Sequence, residues 1–143
     1  MKTMEYQITV VIKKDRKFVV ETYMDYEQFK YYQQPAFDAY RLLEGQLYEV
    51  GSVVELVYKY KDQLYFMHEK ITACNLPETV TQVYVLGETK NRCISTFREA
   101  NDKTIWHMDV HFQFASDEGQ DQKIFMKKTE EDMMAFKTYV EGL

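Results

Sequence analysis

The 143-residue chain is 45% hydrophobic and carries a formal net charge of −5, enough apolar material for the core of one domain and no basic field to attract a phosphate backbone. Nucleic acid is therefore not an expected partner. No uncharged run approaches the ~18 residues a membrane span needs, and Met1-Lys2-Thr3-Met4-Glu5-Tyr6 lacks the apolar stretch and small-residue cleavage site of a secretory signal, so residues 1–143 are expected to form a single cytoplasmic domain.

Met4 to Lys13 alternates, with Tyr6, Ile8, Val10 and Ile12 on one face and Gln7, Thr9, Val11 and Lys13 on the other, the period-2 pattern of a strand. Asp15 is placed to cap a short helix running through Met24. Asp25-Tyr26-Glu27-Gln28 reads as a capping box opening a second short helix to about Gln33, which Pro35 ends. Phe37 to Glu44 is strand-like, Gly45 to Gly51 is a loop, and Val53 to Lys61 alternates again.

Asp62-Gln63 reads as a tight turn into a strand over Leu64–Cys74, and Asn75-Leu76-Pro77 separates that strand from Thr79–Leu86. Turns at Gly87–Asn91 and Asn101-Asp102-Lys103 delimit strands near Arg92–Glu99 and Thr104–Ala115. Consecutive strands on short turns form an antiparallel meander. Cys74 and Cys93 supply neither a disulfide framework nor a CxxC metal knuckle and are expected as buried small hydrophobes in strands.

After Ser116-Asp117 the period changes. Phe125, Met126, Met133, Phe136 and Val140 share one helical stripe, with Lys127, Lys128, Glu130, Glu131 and Lys137 outside it. This predicts an amphipathic helix of about 20 residues, about 30 Å long at ~1.5 Å per residue. The order is strand, two short helices, six strands and a long helix. The fold class is α+β, a curved antiparallel sheet of about seven strands wrapped around a long C-terminal helix.

Several pieces carry a family likeness in their order and spacing. The opening strand is followed by Asp15–Phe29 in place of two short helices, then Leu43-Glu44-Gly45 with Gly51 after it, Glu69-Lys70-Ile71 leading to Pro77, and Thr104-Ile105-Trp106 before a hydrophobic strand. Over essentially its whole length the chain resembles the Bet v 1-like, START-related superfamily, in its polyketide cyclase/dehydrase-like and lipid-transport-like branch. The resemblance implies a helix-grip fold with a cavity between sheet and C-terminal helix that takes lipids, sterols, polyketides or other hydrophobic molecules, and in a minority of members cyclisation or dehydration there. The branch similar to the activator of Hsp90 ATPase usually carries Trp in the N-terminal helical stretch, whereas the only Trp here is Trp106, which disfavours a cochaperone role.

The case for a cavity also stands on geometry. One helix about 10 Å across cannot cover every inward face of a curved sheet. Twelve Tyr and nine Phe either fill the remainder or line a pocket left open. The side chains expected to line it are Tyr58, Glu69, Tyr84, Phe97, Trp106, Met108, Phe125, Met133 and Phe136. With Ile71 inward, alternation turns Met67 and Glu69 inward and His68, Lys70 and Thr72 outward. Glu69 is then the candidate catalytic carboxylate or ligand anchor, its pKa raised beside Tyr58, Tyr84 or Trp106. The alternative is an acid near the sheet edge paired with Arg or Lys.

His107, Asp109 and His111 share the outward face of the last strand at spacing i, i+2, i+4. They read either as a polar surface or as ligands for a divalent metal, and three His in the whole chain argue against a dedicated zinc enzyme. Ser52, Ser95 and Ser116 lack a GxSxG elbow, and no Gly-rich phosphate loop is present. No metal or cofactor is expected. Three functions remain open: a binder or carrier of a hydrophobic small molecule, a cyclase- or dehydratase-type enzyme using Glu69 with a nearby Tyr, and an interaction module with a filled core, for which an exposed strand offers a homodimer contact.

Overall fold

The computed structural model describes residues 1–143. β1 (Lys2–Ile12) is followed by α1 (Arg16–Met24), a 3-10 helix (Tyr26–Tyr31), and then β2 (Ala36–Glu44), β3 (Val53–Tyr60), β4 (Gln63–Asn75), β5 (Thr79–Leu86), β6 (Thr89–Ala100), β7 (Lys103–Phe114) and α2 (Gln122–Glu141). The strands form one sheet in the order β1-β7-β6-β5-β4-β3-β2, antiparallel at every pairing. Both the fold class and the order of elements match the expectation.

Local chemistry explains the boundaries. Asp15 accepts a hydrogen bond from the Phe18 amide at 2.9 Å and starts α1. Asp25 accepts from the Glu27 amide at 3.0 Å and starts the 3-10 helix. Its predicted capping box is replaced by a side-chain contact, with Gln28 Nε2 donating to Asp25 Oδ2 at 3.1 Å, and the element closes at Tyr31 instead of reaching Gln33. The β3–β4 and β6–β7 hairpins turn on Lys61-Asp62 and Asn101-Asp102, all four at positive φ, the conformation that matches the right-handed twist of the paired strands. A Cβ on Gly45 would lie 3.1 Å from the Ser52 Cα, so glycine there lets the end of β2 approach the start of β3.

Register shifts between Phe37 and Ala39, between Leu42 and Glu44, and between Ile71 and Ala73 bend the sheet at β2 and β4. Beyond the β4 shift the alternation is lost: Thr72, Ala73, Cys74 and Asn75 are all exposed. The buried-thiol expectation is thus wrong for Cys74 and right for Cys93, whose thiol burial pushes up to about 12.

α2 lies in the hollow of the sheet with Met133, Phe136 and Val140 buried. It is tied to β1 along its length: the Tyr6 hydroxyl contacts Thr129 Oγ1 at 2.7 Å, Lys137 donates to the Val11 carbonyl, and the Lys13 amide donates to Glu141 at 2.7 Å. The large core beneath α2 runs from Met4 to Val140. A smaller one, built on Tyr26, Phe29, Val54 and Leu56, lies beneath the 3-10 helix. No helix is long and apolar enough to cross a membrane.

Candidate functional site

The middle of the hollow is filled by rings. Tyr23 of α1 stands edge-on to Phe97 of β6, Trp106 of β7 and Phe136 of α2, with centroids 5.4, 5.2 and 5.7 Å away. Trp106 meets Phe136 at 5.4 Å, also edge-on. Four aromatics from four elements thus form a plug of favourable edge-to-face pairs. Met108 and Met133 are buried in the same core. Phe125 is half-buried against the same core at another point, 5.1 Å from Phe112 and 5.5 Å from Phe114, while Tyr58 packs against the smaller core.

Beside the plug lies a polar cluster built on Glu69. Its strand β4 sits between β3 and β5, and the side chain is 1% exposed. None of the chain's ion pairs includes it, which overturns the reading of an edge carboxylate paired with Arg or Lys. An interior strand has no edge where a long basic side chain could reach water and the acid together. Tyr26 donates its hydroxyl to Glu69 Oε1, and Gln82 Nε2 approaches Oε2 at 3.4 Å. Tyr84 lies directly opposite Glu69 across the β4–β5 ladder and is a third group that favours the charged carboxylate. Burial raises the Glu69 pKa, and these three groups pull partly against it.

The cluster extends back to the plug as a chain with one possible direction. The Trp106 indole can only donate, and does so to Ser95 Oγ at 3.0 Å. Tyr23 donates to Gln82 Oε1 at 2.8 Å, and Ser95 Oγ lies 3.4 Å from the Tyr23 oxygen. Because Tyr23 spends its proton on Gln82, Ser95 is the donor to Tyr23. The order Trp106, Ser95, Tyr23, Gln82, Glu69 therefore runs toward the carboxylate, each bond polarising the next.

Tyr32 and Tyr84 pack against both cores and so mark the seam between them. Tyr23, Tyr32, Tyr58 and Tyr84 lie deep enough that desolvation is the leading cause raising each hydroxyl pKa, yet all four are only half-buried by area. Two open depressions lie at the surface, the second of them lined in part by Tyr32. One of about 630 Å³ is lined largely by the outer-face residues Glu5, Gln7, Arg92, Asp109 and His111; the other, of about 580 Å³, runs along α2 beside Tyr31 and Tyr139.

Tyr23, Tyr26, Tyr32, Gln82 and Ser95 were not among the expected site residues. Gln82 and Ser95 carried a signal: each is a polar residue at an inward position of an alternating strand, between Val80 and Tyr84 and between Cys93 and Phe97. The outward triad behaves as surface. His107 is held by Thr9 Oγ1 at 2.7 Å, His111 by Glu5 at 2.6 Å, and Asp109 lies 3.5 Å from His107. No group of three His, Cys, Asp or Glu side chains gathers in ligating geometry.

No protein-family model and no curated protein matches the sequence. Solved structures do match in shape. Ara h 8.0201 superposes with a TM-score of 0.83 at 14% identity, covering 99% of this chain and 100% of its own. Ginseng major latex-like protein 151 from Panax ginseng gives 0.75 at 15% identity, with 96% and 97% covered. The Zhui aromatase/cyclase from Streptomyces sp. R1128 gives 0.71 at 13% identity, with 99% and 93% covered. At such identities the likeness is one of fold.

Proposed function

We propose that this Bet v 1-like, helix-grip domain binds or transports an apolar small molecule, of lipid, aromatic or polyketide-like character, in the seam between the sheet and α2. The observation that carries the reading is the set of half-buried tyrosines, Tyr32, Tyr58 and Tyr84, standing around a sealed Glu69. Affinity comes from apolar burial at ~25 cal/mol per Å², and the phenol oxygens orient the ligand. Phe97, Trp106, Met108, Met133 and Phe136 form the wall behind the site. Because the aromatic plug occupies the middle of the hollow, the ligand is confined to the Tyr58 and Tyr84 side, away from Phe125. The reading carries with it a cytoplasmic location and no nucleic-acid partner, with the β2 edge as the face for any homodimer.

The test is native mass spectrometry of protein purified from its own host, combined with thermal shift across a library of lipids and aromatics. Co-purified mass or stabilisation by apolar compounds is the expected result. Empty protein together with no shift would overturn the reading in favour of a filled-core interaction module, for which the aromatic plug is the supporting feature.

The Glu69 cluster favours one second reading. A buried carboxylate with a raised pKa, hydrogen-bonded to Tyr26, is equipped for proton transfer of the cyclase or dehydratase type, and one structural neighbour is an aromatase/cyclase. If Glu69→Gln leaves turnover of a polyketide-like substrate unchanged, this second reading fails.

A further inference from the structure

We infer that two copies of this chain associate through the exposed end of β4, a contact that stands apart from the ligand reading. β4 pairs with β3 from Gln63 onward, but its pairing with β5 begins only at His68, opposite Val85. Gln63–Phe66 are thus bonded on one side alone, and their N–H and C=O groups turned away from β3 have no strand beside them. No turn or loop backbone bonds to them either. Leu64 and Phe66 are each 51% exposed and Tyr65 43%. With Glu69 inward, alternation points Tyr65 to the hollow side and Leu64 and Phe66 to the outer side, so both faces beside the open edge are apolar. Leu64-Tyr65-Phe66-Met67 holds no charge, proline or glycine, the composition of a strand ready to take on another.

The other free edges of the sheet are guarded. Strand order alone puts a second copy at β2, yet β2 is broken by two register shifts and carries Asp38, Arg41 and Glu44, features that keep edge strands from pairing. On β1, α2 already holds the Val11 carbonyl through Lys137 and the Lys13 amide through Glu141. The occupant of the β4 edge follows from its self-complementarity. Laid antiparallel on a second copy about a two-fold axis normal to the sheet, Leu64 and Phe66 of both copies share one face and the two Tyr65 rings the other. The same operation brings the Lys61-Asp62 turn of each copy up to the Gly87-Glu88 turn of the other. Neither Lys61 nor Glu88 has an ion pair within the chain, so each gains an opposite charge, and the exposed Leu86 at that turn is covered. A bilayer suits the hairpin less, since the residues that lead it, Lys61-Asp62-Gln63, are polar.

The experiment is sedimentation velocity of the whole protein over a concentration series from about 1 to 500 µM, which brackets a weak contact. A short strand pairing lies at the low end of specific interfaces, below about 1,200 Å², so a reversible monomer–dimer equilibrium with Kd on the order of 10–100 µM is expected. Phe66→Lys and Leu64→Lys each set like charges near the axis and are expected to weaken dimerisation by about tenfold or more, whereas Leu42→Lys on β2 is expected to leave it within about twofold. Hydrogen exchange of the wild type needs no variant: amide protection within Gln63–Phe66 rises with protein concentration while that within Ala36–Glu44 stays level. A monomer at every concentration, a dimer that survives both β4 substitutions in variants that circular dichroism shows to be folded, a dimer dissolved by Leu42→Lys, or protection that does not rise with concentration sinks the inference. So does a monomer that sediments with phosphatidylserine vesicles and loses them on Phe66→Lys, which assigns the edge to a lipid surface. None of these outcomes touches the ligand reading, whose test is the co-purified mass.

Discussion

Tyr26 and Glu69 stand 43 positions apart in sequence and meet in the closed interior, the Tyr26 hydroxyl donating to Glu69 Oε1. The tyrosine comes from a 3-10 helix held at its start by Asp25, the glutamate from the middle of the sheet. The pair therefore fastens the 3-10 helix to the floor of the hollow and at the same time stabilises a charge that burial opposes.

Removing that donor exposes both roles. Tyr26→Phe is expected to lower stability by about 1–3 kcal/mol, the cost of stranding a buried acceptor, and to raise the Glu69 pKa further. Urea unfolding reads the first, and a pH titration of the Glu69 carboxyl resonance reads the second. A variant as stable as wild type with an unmoved carboxyl would show that the bond contributes nothing.

The pH dependence of stability has a definite sign. Glu69 binds its proton more tightly in the folded protein than at its ordinary value of 4.5, so folding takes up a proton between that value and the raised one. The resulting stabilisation is complete below pH 4.5 and is lost as pH climbs through the folded pKa. Glu69→Gln has no such loss, so its stability relative to wild type should improve with rising pH, by at most about 1.4 kcal/mol per pH unit. Guanidinium unfolding of both proteins from pH 4 to pH 8 measures this, and a wild type that gains on the variant as pH rises would contradict it.

The aromatic plug should be the costliest place to cut. Phe136 is 1% exposed and meets Tyr23, Tyr32 and Trp106 edge-on. Phe136→Ala is expected to cost about 3–5 kcal/mol and to lower the melting temperature by roughly 10 °C, as calorimetry would show. If the variant remains folded, the vacated space should accept bulkier apolar ligands than wild type does.

The β6–β7 turn can be improved. Asp102 has φ 65, a conformation that glycine adopts without penalty. Asp102→Gly creates the Asn-Gly pair favoured in such hairpins and should stabilise by about 0.5–1 kcal/mol. A melting curve unchanged or lowered would show that the aspartate is not strained there.

The sheet was legible because two short-range signals agreed. Alternation marked the strands and turn residues marked their ends, so Thr79–Leu86 appears with the expected bounds and the last helix has its expected 20 residues. The inward direction of Glu69 followed from the phase of Ile71, two positions on and still ahead of the β4 register shift. Cys74 lies beyond that shift, where phase no longer carries. The partners of Glu69 were hidden for a different reason. Tyr26 and Tyr23 come from helical segments whose rotation about the sheet depends on tertiary packing, and nothing within a few residues of either encodes the glutamate that one of them meets. Phe125 shows the same limit from the other side: its place on the apolar stripe of α2 was readable, but its ring partners Phe112 and Phe114 on β7 were not.

The pairing of β1 with β7 also has a bearing on how the chain reaches its native state. Lys2 aligns with Phe114 and Ile12 with Thr104, so the first of the seven strands to leave the ribosome has no neighbour until the last of them has emerged. The β2 to β7 meander can assemble hairpin by hairpin from local contacts, whereas docking of the first strand is a late, long-range step that closes a loop of about a hundred residues and slows the overall rate. During that wait the alternating Tyr6, Ile8, Val10 and Ile12 face stays uncovered. The nascent polypeptide is most vulnerable to aggregation there, and most in need of a holding chaperone.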